Sequence, residues 1–298
     1  MPNLAFPRSL CYTHIHKGGE TVLTVIEKPA LPSRRREAHK GDFGRVLIIA
    51  GSVGYTGAPS FASRAAVRSG AGLVFLGVPQ EIYGIEAVKH DEAMVFPLPG
   101  ESGRLSAGAL SEILARLGRC DSCLIGPGLG LGDTLYNIVY SVIEACRVPL
   151  IIDADGITAV SKRIELLSGA KCPIALTPHE GEFLRLGGDL SKGREYAARS
   201  FAEKHGVTLV LKGSGTVVAF PDGSAFINPT GNPGMAKGGS GDVLAGMAAA
   251  LVPQLGFSEG IKAAVYYHGL AGDIAAEKYG QYAMTPSDTI ACLGEVLR

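Results

Sequence analysis

A chain of 298 residues with 46% hydrophobic residues and 41 glycines has enough apolar content for a sizeable core, which excludes a disordered chain and fits an α/β enzyme rich in tight turns. Lys+Arg 28 balance Asp+Glu 28, which removes the electrostatic case for nucleic acid or a membrane surface and favours small-molecule partners. No apolar run reaches the roughly 20 residues of a bilayer span, and the first residues lack a basic segment followed by an apolar one, so the expected compartment is the cytoplasm.

Six cysteines stand at positions 11, 120, 123, 146, 172 and 292, mostly in apolar surroundings that suit reduced thiols. Cys120 and Cys123 have the spacing of a redox pair or half a zinc site. No second ligand pair completes a zinc site, and the segment runs into Leu124-Ile125 and a turn instead of a helix, so the structural reading is preferred.

Residues 1–35 show no sustained period and carry Arg34-Arg35-Arg36, read as a solvated loop in a poorly ordered extension. A polar stretch, 36–44, leads into a strand at Arg45–Ala50 that is apolar on both faces, as a parallel strand covered by helices must be. It ends in Gly51–Gly57, followed by a helix from Ala58 to about Gly70 and a strand at Gly72–Gly77. This βαβ unit puts a glycine-rich loop at the carboxyl end of a strand, where ligands bind in open α/β sheets.

A helix over about 106–118 and a strand at Ser122–Ile125 precede Gly126-Pro-Gly-Leu-Gly-Leu-Gly132. Pro127 forces a turn before any helix, so this repeat is read as a pocket wall and not as a dinucleotide fingerprint. A helix at about 133–145 and a strand at Val148–Ile152 deliver Asp153 and Asp155, which suit water-mediated Mg²⁺ binding and loop ordering equally. The strand Ile174–Leu176 delivers Thr177-Pro-His-Glu-Gly-Glu182, which lacks the second histidine of HExxH. His179 is a paired loop histidine or a substrate contact, with contact slightly favoured by position.

A helix over about 191–205 comes before Val207–Phe220, two strands joined at a glycine turn flanked by Lys212 and Thr216. The turn is a plain hairpin, or a lysine set beside free amides for nucleotide phosphates. In Asn228–Gly246, Gly238, Gly239 and Gly241 are expected to take positive φ and uncover amides before a helix that starts at about Val243. A helix start with free N–H groups and a positive dipole end suits phosphate. Asp242 caps that helix or faces the attacking group as a base, and the crowded glycines favour the base. A helix over about 259–279 carries His268, read as a packed histidine, and the last helix starts near Ser287, capped by Thr285 or Ser287.

In this order, His39–Gly44, Gly51–Ala58, Gly126–Gly130, Asp153–Gly156, Thr177–Glu182, Lys212–Thr216 and Gly238–Asp242 resemble the ATP- or ADP-dependent NAD(P)H-hydrate dehydratases of the ribokinase-like fold. The likeness runs over about 36–298, after an extension at 1–35. Gly-Ser-Gly-Asp alone fits any ribokinase-like kinase; Thr-Pro-His-Glu-Gly-Glu and Lys-Gly-x-Gly-Thr are far more specific.

The resemblance implies a three-layer αβα sandwich with a central, mostly parallel sheet, and repair of the S epimer of hydrated NADH or NADPH at the expense of ADP or ATP. It implies Asp242 as the catalytic residue, Ala58, Gly128, His179 and Asp242 as contacts to the hydrated cofactor, and Lys212, Gly213, Ser214, Gly215, Thr216 and Gly241 as nucleotide contacts. Gly238, Gly239 and Ser240 would form the anion loop. Mg²⁺ is expected with the nucleotide, its ligands unassigned, and a homo-oligomer, often a tetramer in the family, is implied as well. Many relatives carry a fused epimerase for which this chain is too short, so a separate epimerase is expected, and residues before about 22 are expected to lack a counterpart. The alternatives are a ribokinase-like kinase of a vitamin precursor or sugar, a non-catalytic nucleotide-binding regulator, and a Rossmann oxidoreductase.

Overall fold

The computed structural model describes residues 24–298. Its first half runs β1 (Thr24–Val25), β2 (Arg45–Ile49), α1 (Gly57–Arg68), β3 (Leu73–Pro79), α2 (Gln80–Lys89), β4 (Met94–Leu98), a hairpin of β5 (Gly100–Glu101) and β6 (Arg104–Leu105), α3 (Ala109–Leu117), β7 (Ser122–Ile125), α4 (Asp133–Ala145), β8 (Leu150–Ile152) and α5 (Asp155–Val160). The second half runs β9 (Ile174–Leu176), α6 (Glu180–Arg185), α7 (Arg194–His205), β10 (Thr208–Leu211), β11 (Val217–Ala219), β12 (Ala225–Ile227), α8 (Ser240–Leu255), α9 (Phe257–Ala283) and α10 (Pro286–Val296).

Ten strands form one sheet in the order β1-β12-β11-β10-β9-β8-β7-β2-β3-β4. Every neighbouring pair is parallel except β10 with β11 and β11 with β12. The period of two along β2 splits the core: Val46, Ile48 and Ala50 pack with α1, α8, α9 and α10, while Leu47 and Ile49 pack with α3, α4 and α7. The result is the expected αβα sandwich, its strands buried on both faces as their unbroken apolar runs require.

Small residues bring α1 and α8 together. A side-chain carbon on Gly246 would stand 2.0 Å from the Ala62 carbonyl oxygen, so α8 reaches α1 only because position 246 has none.

The extension expected to lack order at 1–35 falls in two parts. Residues 1–23 lie outside the described residues, whereas 24–35 are tied into the fold. Ile26 is buried, its amide donating to Ile227 at 2.9 Å. The Tyr267 hydroxyl donates to the Pro29 carbonyl, and the Arg34 guanidinium lies 3.8 Å over the Phe43 ring and donates to the Gly70 carbonyl. These ties are long-range, which is why no local period announced them.

Candidate active site

The parallel strands β2, β7, β8, β9 and β10 all end on one side of the sheet, and the residues that follow them converge there. Asp153, directly after β8, is nearly fully buried. Its Oδ1 accepts from the Lys212 ammonium at 2.9 Å and from the Thr177 hydroxyl at 2.7 Å. Glu182 lies 3.9 Å from the same ammonium. Burial pulls the Lys212 pKa down, but the charges of Asp153, Glu182 and Asp242 outweigh it and hold it above the usual lysine value. Lys212 is therefore a fixed cation at the strand ends.

The anion loop closes over that cation. Of the three glycines expected to take positive φ, only Gly239 does so, at 100°. Gly241 is small for a different reason: a side-chain carbon there would stand 3.1 Å from the Lys212 ammonium and 3.7 Å from Asp153 Oδ2. Gly238 meets nothing within 4 Å. The helix starts at Ser240, earlier than Val243, so Ser240, Gly241 and Asp242 form its first turn; the Ser240 amide donates to the Lys237 carbonyl at 3.2 Å, and those of Gly241 and Asp242 have no partner within the helix. No side chain caps it, which leaves that end available to an anion.

Asp242 does not act as the cap. Burial first, then the neighbouring charge of Asp153, raises its pKa to about 7 against the opposing pull of Lys212, with Asp155 and Glu182 adding to the rise. A carboxylate poised near neutrality beside a fixed cation suits proton abstraction from a hydroxyl.

The two strand-end acids, left open between metal binding and loop ordering, both order loops here. Asp153 fixes Lys212 and Thr177, and Asp155 accepts from the Gly130 amide at 2.8 Å. Among the described residues no three ligating side chains converge as a metal cage.

The pocket wall at 126–132 is zipped to the loop after β2. Gly51 donates to the Pro127 carbonyl at 2.8 Å, and the Ser52 hydroxyl donates to the Gly128 carbonyl at 2.8 Å. A side-chain carbon on Gly128, whose φ is 62°, would stand 3.0 Å from the Ala58 side chain and 3.1 Å from that of Tyr55. Ala58 and Gly128 are thus brought together. His179 caps α6, its Nδ1 accepting from the Glu182 amide at 3.2 Å while the side chain stays 55% exposed. The geometry contains the paired loop histidine, its Nε2 also standing 3.7 Å from Glu182 Oε1.

The glycine turn at 213–215 joins β10 to β11 as expected and is held from outside by a residue the motifs did not single out. Arg194, at the start of α7, donates to the carbonyls of Leu211, Ser214 and Gly215 and pairs with Glu180 at 3.1 Å. The only sequence signal was an arginine at a helix N-terminus, where the dipole disfavours a cation. His268 is packed, as expected. Burial and then the Lys212 charge push its pKa down to about 4, and the Ser240 backbone lies against the ring, so it is a neutral imidazole beneath the anion loop.

A family model described as NAD(P)H-hydrate dehydratase matches residues 46–293. The chain is 44% identical over 303 residues to the bifunctional NAD(P)H-hydrate repair enzyme Nnr of Moorella thermoacetica, covering 99% of this chain and 57% of that protein. The chain therefore spans little more than half of that relative. The alignment also reaches through nearly all of the first 22 residues, which corrects the expectation that they have no counterpart. Among solved structures, an ADP/ATP-dependent NAD(P)H-hydrate dehydratase from Bacillus subtilis, co-crystallised with ATP and Mg²⁺, superposes with a TM-score of 0.76 at 31% identity, covering 89% of this chain and 93% of that one. A ribokinase-like superfamily protein from Enterococcus faecalis superposes with a TM-score of 0.77 at 32% identity, covering 90% and 91%.

Proposed function

The chain belongs to the NAD(P)H-hydrate dehydratase family, and from that premise and the geometry of its site we propose that it uses ADP or ATP to dehydrate the S epimer of hydrated NADH or NADPH. The observation that carries this reading is Asp242, raised to about 7 at the head of α8 beside Lys212 and the uncapped anion loop. Asp242 takes the proton of the ring hydroxyl, whose oxygen then attacks the terminal phosphorus of the nucleotide. The bond to the leaving nucleotide oxygen breaks as the new P–O bond forms. The phosphate then departs with the electrons of the C–O bond, assisted by the ring nitrogen, and loss of a ring proton restores the reduced nicotinamide.

The chain's own residues supply the electrostatics. The first amides of α8 and the Lys212 ammonium face the charge that builds on the transferring phosphoryl group. The turn at 213–216 offers its amides to the nucleotide, while Ala58, Gly128 and His179 bound the side that receives the hydrated ring.

Mg²⁺ fits this donor set as an ion carried on the nucleotide's phosphates, because Mg²⁺ keeps several waters and needs few protein ligands. Asp153 and Asp242 would hold its water shell, and the ion would neutralise phosphate charge. Where relatives join this domain to a second activity, epimerisation of the R form is the step that would supply substrate.

The test follows near-ultraviolet absorbance of reduced nicotinamide after mixing the protein with hydrated NADH, Mg²⁺ and ADP or ATP. Absorbance should recover only with nucleotide. Asp242→Asn should lower kcat by about 10²–10⁴-fold, the usual worth of a general base, while binding nucleotide normally. Accumulation of a phosphoester without recovery would instead assign a kinase. No recovery from folded wild-type protein with either nucleotide would refute the dehydratase reading.

A further inference from the structure

Helix α2 buries an acid beside its one buried apolar residue, Ile82. Its outer face exposes Tyr83, Ile85 and Val88, the last 88% exposed, while the face turned to α1 buries Glu86 completely. Glu86 Oε2 accepts from the Ser60 hydroxyl at 2.8 Å and lies 3.4 Å from His90 Nε2, and Oε1 accepts from the Lys89 ammonium at 2.8 Å. The same ammonium donates to the Thr56 carbonyl at 3.1 Å, and Ser60 lies 3.0 Å from that carbonyl. His90 Nε2 is also 3.2 Å from the Ser63 hydroxyl. Thr56 is the residue before the first turn of α1, which no side chain caps, and two residues on stands Ala58 against Gly128.

A buried ion pair is rarely the most stable filling of such a space, since apolar side chains of similar volume usually do as well or better. What it does supply is direction. The pair fixes one carbonyl, and through it the angle at which α1 meets the pocket wall. None of these bonds reaches the nucleotide turn or the anion loop, although Phe61 of the same helix faces Gly239.

We propose that Glu86 and Lys89 are positioning residues for the hydrated-cofactor side of the site, holding the Thr56 carbonyl so that Ala58 and the first turn of α1 stay seated against Gly128. This rests on the dehydratase reading given above. The variants that test it are Glu86→Gln and Lys89→Met, with Lys89→Arg as the conservative control.

Each disruptive variant should raise KM for hydrated NADH by about tenfold, the scale of a small misplacement of a binding element, while nucleotide Kd stays at the wild-type value and Lys89→Arg restores KM. Amide hydrogen exchange should quicken over 55–60 and stay unchanged over 212–216. Unchanged KM in a folded variant overturns the proposal, and so does a parallel loss of nucleotide affinity, which would mean general loosening. Should Glu86→Gln not fold, Lys89→Met decides, because that side chain is partly exposed. Wild-type protein that leaves hydrated NADH untouched refutes the dehydratase reading instead, and the exchange pattern then decides the positioning role by itself.

Discussion

Two lysine–carboxylate pairs lie behind the two sides of the site, and they are built from the same parts. Asp153 and Lys212 meet at 2.9 Å at the strand ends, and Glu86 and Lys89 meet at 2.8 Å between α1 and α2. Both acids are almost wholly shielded from water. Around Glu86 the donors suffice: burial alone would raise its pKa, but His90, Lys89 and Ser60 together bring it below the usual carboxylate value. Around Asp153 one lysine faces several acids, and the acid left without a donor of its own, Asp242, is raised to about 7. Burial is common to both clusters; the supply of donors decides whether a carboxylate is held ionised or kept ready to take a proton.

Lys212→Met breaks that comparison most severely. It leaves Asp153 buried with only the Thr177 hydroxyl, so unfolding should become easier by about 3–5 kcal/mol, read as a lowered denaturation midpoint with loss of nucleotide binding. A pair worth no more than a surface contact would shift the midpoint barely at all, and the fixed-cation account would fail.

Asp242→Asn should act in the opposite sense on stability. With a folded pKa of about 7 against an unfolded value near 3.9, the folded wild type holds a proton that the unfolded chain releases between about pH 4 and 7. Wild-type stability is therefore lost as pH rises through that window, while the asparagine variant does not titrate. The variant should be more stable by on the order of 1–3 kcal/mol at pH 8, with the gain vanishing below about pH 4. Equal denaturation midpoints at pH 8 would show that Asp242 is not raised.

Arg194→Lys sharpens the contrast between fixed loops and fixed charges. A lysine cannot span the carbonyls of Leu211, Ser214 and Gly215 together, so nucleotide Kd should rise by about tenfold, roughly one charge-assisted hydrogen bond. Titration calorimetry reads this, and the midpoint of unfolding should stay close to wild type. The smallest effect is expected from the double change Glu86→Leu with Lys89→Leu, which should be close to neutral for stability while still impairing use of the hydrated cofactor.

Much of the fold, and the motifs that supply the candidate site, were legible in the chain itself. Val46–Ile49, Cys123–Ile125 and Leu150–Ile152 are short, wholly apolar runs, and such runs bounded by glycine or acid announce parallel strands. Asp242, Lys212 and the loops at 126–132 and 238–241 were visible because each stands inside a contiguous motif that a strand end or helix start must present. The helix α2 and the strand β4 were not assigned, because α2 buries an acid and exposes Ile85 and Val88, which erases the apolar period by which an amphipathic helix is recognised.

Tertiary structure alone decided the rest. It set the Lys212 ammonium, from 29 positions earlier in the chain, 3.1 Å from where a side-chain carbon on Gly241 would stand. It turned Asp153 and Asp155 into loop anchors, brought Arg194 to the glycine turn at 213–215, and tied 24–35 to β12 and α9. A sequence states which groups can hydrogen-bond or carry charge over a few neighbouring residues. Which of those groups is left short of a donor in a low-dielectric site depends on partners supplied by distant strands and helices, and that shortage is what sets Asp242 near neutrality.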